Sequence, residues 1–129
     1  MSDAVLDASA LIALVQREPG WEAVAAIASA GGAAIGAVNL SEVVARLADL
    51  GGSEPEIRER IDTVLLESVP FDTDLAYETG LLRPQTRHAG LSLGDRACLA
   101  LARRLGLPAV TTDRAWARLS LRVEVQVIR

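Results

Sequence analysis

Lysine is absent from this 129-residue sequence; all thirteen basic residues are arginine. P-loop phosphate binding, Schiff-base chemistry and receiver-type phosphorylation sites each lose a residue they rely on. Histidine occurs once, as His88, which excludes paired-histidine acid–base catalysis. The single cysteine, Cys98, excludes an internal disulfide framework and fits a reducing compartment. No apolar run is long enough to span a bilayer. The opening Met1-Ser2-Asp3 has neither the basic start nor the apolar core of a secretion signal, so a cytoplasmic protein is expected. A net charge of −4 argues against wholesale electrostatic adhesion to nucleic acid, although a local basic surface is compatible with it. Any catalysis is left to carboxylates, and through them to a metal ion.

What is present is a chain that is 50% hydrophobic and the right length for one domain over residues 1–129. Its first informative stretch is Ala4-Val5-Leu6-Asp7-Ala8-Ser9-Ala10-Leu11. A short apolar run stops at one acid, and an apolar pattern with helical spacing follows at once. This predicts a buried strand that delivers Asp7 at its carboxyl end, where open α/β sheets bind ligands. A plain helix cap at Asp7 or Ser9 accounts for the same letters.

Further along, Trp21, Val24, Ala25 and Ala28 recur at helical spacing, and residues 33–38 read as a second strand. Asn39-Leu40-Ser41-Glu42 opens a third helix, to about Leu50, with an apolar stripe of Leu40, Val43, Val44, Leu47 and Leu50. Glu42 falls in its first turn, either as a solvated partner of Arg46 or as a group held at the sheet edge. Glu54-Pro55-Glu56 starts a fourth helix whose inner face is Ile57, Ile61, Val64 and Leu65. Residues 68–71 read as a short strand that Pro70 confines to an edge or a strand end. Asp72 caps the next helix, which carries Ala76, Tyr77 and Leu81, and Asp74 joins it in that capping role. The broken basic segment that follows makes Arg83 and Arg87 candidates for a phosphate backbone and leaves His88 a solvated loop residue.

In Leu91-Ser92-Leu93-Gly94-Asp95-Arg96-Ala97-Cys98, Ser92 and Asp95 have the spacing of a capping box. Asp95 also heads a helical face continued by Cys98, Ala102 and Leu105, which points it inward over the sheet. Cys98 reads as core. Residues 109–111 form a buried strand ending at Thr112-Asp113, which repeats the strand–acid–helix logic of the start, with capping again the simpler role for Asp113. Residues 123–128 alternate like an edge strand.

Alternating strands and helices imply an α/β fold with a central, mostly parallel sheet flanked by helices on both faces. If the first strand and the one at 109–111 are neighbours where the winding reverses, Asp7 and Asp113 converge, with Asp95 and Glu42 in reach. Four clustered acids repel unless a divalent cation neutralises them, and an all-oxygen set suits Mg²⁺.

These residues resemble the PIN domain, and in detail the VapC-type toxins of bacterial toxin–antitoxin pairs. The matching pieces are Val5-Leu6-Asp7-Ala8-Ser9, Asn39-Leu40-Ser41-Glu42-Val43, Phe71-Asp72 with Ala76, the stretch from Leu91 to Ala102, and Thr111-Thr112-Asp113-Arg114-Ala115-Trp116. The resemblance implies a single PIN-like domain and a Mg²⁺- or Mn²⁺-dependent endoribonuclease. Its acids map onto Asp7, Glu42, Asp95 and Asp113, with Asp7, Asp95 and Asp113 as metal ligands. Its hydroxyls map onto Ser9 and onto Thr111 or Thr112. Some relatives carry a further acid just after the fourth, where this chain has Ala115 and Trp116, so the departure concerns a second metal position. Arg96 and Arg114, beside the acids, join Arg83 and Arg87 as RNA-contact candidates. Relatives also pair as homodimers and are silenced by a VapB-type antitoxin lying in an apolar groove near the first helices, which places Trp21 and Val24 in that groove. Two other classes are weighed. One is a metal-dependent phosphatase or 5′-nuclease acting on a substrate other than cellular RNA, of which the aspartyl-nucleophile kind would want a second Asp where Ser9 stands. The other is a non-catalytic binding module, which would not need four intact acids.

Overall fold

The computed structural model describes residues 2–129. Its strands are β1 (Val5–Leu6), β2 (Ala33–Gly36), β3 (Leu66–Val69), β4 (Ala109–Thr111) and β5 (Val125–Val127). Its helices are α1 (Ala8–Gln16), α2 (Trp21–Ala30), α3 (Ala37–Asp49), α4 (Glu54–Asp62), α5 (Thr73–Leu81), α6 (Arg83–Thr86) and α7 (Leu93–Leu105). Two 3₁₀ segments, Arg87–Ala89 and Arg114–Arg118, follow α6 and β4. Among the described residues no helix is long and apolar enough to cross a membrane.

The five strands form one parallel sheet in the order β3-β2-β1-β4-β5. The chain winds outward from β1 to β3 on one side, then returns to place β4 against the other side of β1. The winding therefore reverses between β1 and β4, and the carboxyl ends of these two strands mark the switch point at which open α/β sheets bind ligands. β1 is only two residues long, yet Val5 pairs with Ala34 and Ala109, and Leu6 with Ile35 and Val110. The alternation of side chains along a strand then divides the core. Leu6, Ile35 and Val110 pack with Leu11, Val24, Val43, Leu47 and Ile57 of α1 to α4. Val5, Ala34 and Ala109 pack with Leu75, Leu99, Leu101 and Trp116 on the other face. Leu99 and Leu101 are both fully buried, and each contributes about 2 kcal/mol by leaving water. The alanines at 34 and 109 keep this face low, so α7 lies on the sheet through its own small residues, Cys98 and Ala102 among them.

Local signals set most helix starts. Ser53 and Glu56 form a reciprocal capping box at α4, and Asp72 Oδ1 accepts from Leu75 N at 2.8 Å to cap α5. Several expectations shift. α3 begins at Ala37 behind Gly36, so the second strand is shorter than residues 33–38 and Glu42 lies in the second turn of its helix, not the first. α4 ends at Asp62, and Leu65 is exposed; the strand after it runs from Leu66 to Val69 and stops before Pro70. In α5 the inward residues are Leu75 and Thr79, with Leu82 just beyond, while Tyr77 and Leu81 are 71% and 67% exposed. Leu75 and Leu82 lie seven apart and Tyr77 and Leu81 four apart, so the helix offers two faces, and packing against α7 selects the first. Leu105 is also exposed, so the inward stripe of α7 ends before its last residue.

Candidate active site

Asp7 stands where β1 becomes α1. Its backbone is extended, and its N–H still donates to Val110 O of β4 at 3.0 Å. The strand thus hands the side chain directly to the first turn of the helix. Asp7 Oδ1 accepts from Ala10 N at 2.8 Å and from Ser9 Oγ at 2.7 Å. Asp7 Oδ2 accepts from Thr111 Oγ1 at 2.5 Å. The cap and the buried acid are therefore one residue doing both jobs. At 5% exposure Asp7 is a nearly enclosed carboxylate.

The hydroxyls stitch the two central strand ends together. Thr111 Oγ1 donates to Asp7 and accepts from Asp113 N at 3.0 Å, while Ser9 Oγ accepts from Thr112 N at 3.0 Å. Of the two candidate threonines, Thr111 brings its side chain to the acid and Thr112 brings its backbone N–H. Thr111→Val keeps the shape but leaves Asp7 Oδ2 and Asp113 N unpaired. We expect a loss of about 2 kcal/mol in urea unfolding, since a buried group stripped of its partner bears its desolvation cost; a change below about 0.5 kcal/mol would refute this role.

Glu42 and Asp95 approach from α3 and α7. Burial pushes the Asp7 carboxyl up from its ordinary value of 3.8; hydrogen bonds from Thr111, Ser9 and Ala10 pull it back, and the charge of Asp95 adds to the rise. Glu42 is raised above 4.5 by burial foremost, against its hydrogen bond from Asn39, with the charges of Asp95 and Asp7 adding to the rise. Beneath them the Cys98 thiol is fully buried and pushed up by desolvation, then by Asp7, Asp95 and Glu42 in turn. Three carboxylates therefore share one electrostatic environment. No arginine is ion-paired with any of them among the described residues.

Asp95 keeps the capping box as well. Its Oδ2 accepts from Ser92 N at 3.0 Å, and its own N–H donates to Ser92 Oγ at 3.1 Å. Its other oxygen is not used by the cap. Asp113 is the acid that the structure sets apart. Its backbone joins the Thr111 network, but its exposed carboxylate caps Ala115 N at 2.9 Å. Asp7 and Asp113 follow the carboxyl ends of β1 and β4, Asp95 lies in the first turn of α7, and Glu42 in the second turn of α3. Among the described residues no three of them are yet close enough to hold one ion together.

Of the arginines, Arg83, Arg87 and Arg114 are exposed. Arg96 is not: it is 8% exposed and donates through Nη1 to Thr79 O at 3.1 Å. The expectation that it contacts RNA fails because its place on α7 turns it between α7 and α5. His88 is exposed in the 3₁₀ segment. A groove of about 570 Å³ lies between α1, α2 and α4, with Leu14, Val15, Trp21, Ala25 and Ala28 on its walls. The Arg17 guanidinium sits 5.0 Å from the centre of the Trp21 ring, and Arg60 reaches Val15 O and the Gln16 side chain. Val24 is fully buried in the core beneath this groove and does not line it. Sequence reasoning missed Asn39, read as a helix opener. It is buried, with Nδ2 donating to Glu42 Oε1 at 3.1 Å and to Gly94 O at 2.9 Å. Its position four residues before Val43 was the available signal.

The PIN domain family model matches residues 4–121. No curated protein matches the sequence. Among solved structures the chain is similar to one in DNA-bound VapBC from Salmonella typhimurium, at 20% identity over all of both chains and a TM-score of 0.78. It is similar to one in VapBC2 of Rickettsia felis bound to a promoter fragment, at 16% identity over 98% of each chain and a TM-score of 0.76. It is also similar to one in VapBC-5 of Mycobacterium tuberculosis, at 27% identity over 98% of each chain and a TM-score of 0.58.

Proposed function

The chain belongs to the PIN-domain family, and on that premise we propose that it is a VapC-type toxin, a metal-dependent endoribonuclease held in check by a VapB-type antitoxin. One observation carries this reading: Asp7, at the sheet's switch point, Glu42 and Asp95 feel one another's charge, and among the described residues no arginine is ion-paired with any of them. A nearly enclosed carboxylate without a counter-charge is costly unless a cation joins it. The donors are all oxygens, which suits Mg²⁺ or Mn²⁺ rather than a soft metal. PIN domains typically use divalent metals, and the donor chemistry of these side chains supports one.

Asp7 and Asp95 would hold the ion, with Asp113 entering by leaving its cap and Glu42 completing the acidic ring. When bound, the ion would polarise a phosphodiester and lower the pKa of a water molecule. The chain's own contribution is positional. Ser9 and Thr111 hold both oxygens of Asp7 in place, and Glu42, with its raised proton affinity, is suited to take a proton from the attacking water. Exposed Arg83 and Arg87, in the segment leading to α7, and Arg114 beside Asp113 supply positive charge for an RNA backbone despite the net negative chain. The groove between α1, α2 and α4 is the place for an antitoxin segment, with Trp21 as an apolar anchor and Arg17 and Arg60 at its rim. Assembly as a cytoplasmic homodimer completes the proposal; exposed Tyr77 and Leu81 are the apolar side chains that pairing would have reason to cover.

The test is direct. Purified protein should cleave RNA in Mg²⁺ or Mn²⁺ and stop in EDTA. Cleavage unaffected by chelation, or no cleavage of any RNA with either metal, would reject the nuclease reading.

A further inference from the structure

Gly94, the second residue of α7, has no conformational need to be glycine, because its backbone is helical and outside the left-handed region. Its reason is steric. A methyl group there would lie 2.6 Å from the carboxylate carbon of Glu42 and closer still to both carboxylate oxygens. The space that any other residue would fill is occupied by the Glu42 head group. Asn39 holds that head group from the other side, with one amide nitrogen donating both to Glu42 Oε1 and to Gly94 O. Asn39 is 1% exposed, and its Oδ1 is buried without a hydrogen-bond partner. A leucine would fill the same volume without that unpaired oxygen, so stability alone does not explain the amide.

We propose that Asn39 and Gly94 are a positioning pair. Gly94 leaves the space in which the Glu42 carboxylate stands, and Asn39 ties that carboxylate to the α7 turn carrying Asp95. Neither residue touches substrate; together they set how far α3 brings its acid toward that of α7. This inference rests on the metal-dependent reading of the site.

The test uses Mn²⁺ binding to the full-length protein without RNA, followed by calorimetry, with melting measured in EDTA. Alanine is the better helix former, so Gly94→Ala should melt at the wild-type temperature or above it. It should nevertheless bind Mn²⁺ roughly 10–100-fold more weakly, as expected for residues that orient ligands. Asn39→Leu should show the same split. In the metal-free protein the nuclear Overhauser contact between the Glu42 side chain and the Gly94 Cα protons should be present in wild type and lost in Asn39→Leu. Wild-type binding of Mn²⁺ with both variants within about twofold would overturn the pair and leave the metal reading standing. A wild type that binds no Mn²⁺ would overturn the metal reading itself. If Gly94→Ala fails to fold, the steric argument is wrong, since only the far end of one flexible side chain needs to move.

Discussion

Asp7→Asn is expected to lower RNA cleavage by more than about 100-fold, beyond the usual cost of losing a residue that merely orients a metal ligand. The metal-free variant should still melt no earlier than wild type. The substitution is isosteric, and Asn Oδ1 can keep the cap to Ala10 N and the hydrogen bond from Ser9. The new amide faces Thr111 Oγ1, whose proton can turn toward Ser9 Oγ, 3.5 Å away. What disappears is a nearly enclosed negative charge that burial already disfavours. A purely structural Asp7 predicts the opposite pattern: a falling melting temperature with activity lost only in proportion to unfolding. Melting curves in EDTA beside cleavage rates in Mn²⁺ separate the two. Activity within about tenfold of wild type would remove Asp7 from the chemistry.

The second large effect is a reversal of pH dependence when metal is added. Asp7 and Glu42 both have raised proton affinity in the folded protein, so the native state binds more protons than the unfolded chain above 3.8 and 4.5 respectively. Stability from this source is complete below those values and is lost as the pH rises through the folded values. In EDTA, this contribution should therefore raise the melting temperature as the pH is lowered through the raised folded values toward the ordinary carboxylate range. Asp72, lowered by Arg104, and Glu56, lowered by Ser53, act in the other sense: their contribution is present above their ordinary values and fades only on further acidification. Metal binding needs the carboxylates deprotonated, so with Mn²⁺ the gradient should invert. At a metal concentration near 100 times Kd the gain is about 2.7 kcal/mol, or roughly 10 °C for a domain of this size. Parallel melting curves with and without Mn²⁺ would refute the shared acidic pocket.

The first strand–acid–helix unit was legible because everything needed for it is local. Ala4 to Leu6 is short and apolar, Asp7 caps, and a helical pattern begins immediately. The Ser92–Asp95 box was legible for the same reason, and it uses one carboxylate oxygen and leaves the other outside the cap. Asn39 was hidden because helix α3 starts two residues before the sequence suggests, which moves that residue from the cap to the buried face. Arg96 was misread because charge beside an acid suggests the surface, and only the packing of α7 on α5 shows its guanidinium turned to Thr79 O. Val24 likewise lies beneath the groove rather than on it.

From the residues alone came the class of the molecule, α/β with parallel strands, and the expectation that any chemistry falls to carboxylates, because composition and short-range periodicity act within a few residues. The tertiary structure decided which acids meet. Asp7 and Thr111 are 104 positions apart, and only the return of β4 to the side of β1 joins them. The same packing turned Asp113 toward its own cap and brought Glu42 against Gly94, distances no local pattern encodes because they depend on how separate helices settle on one sheet.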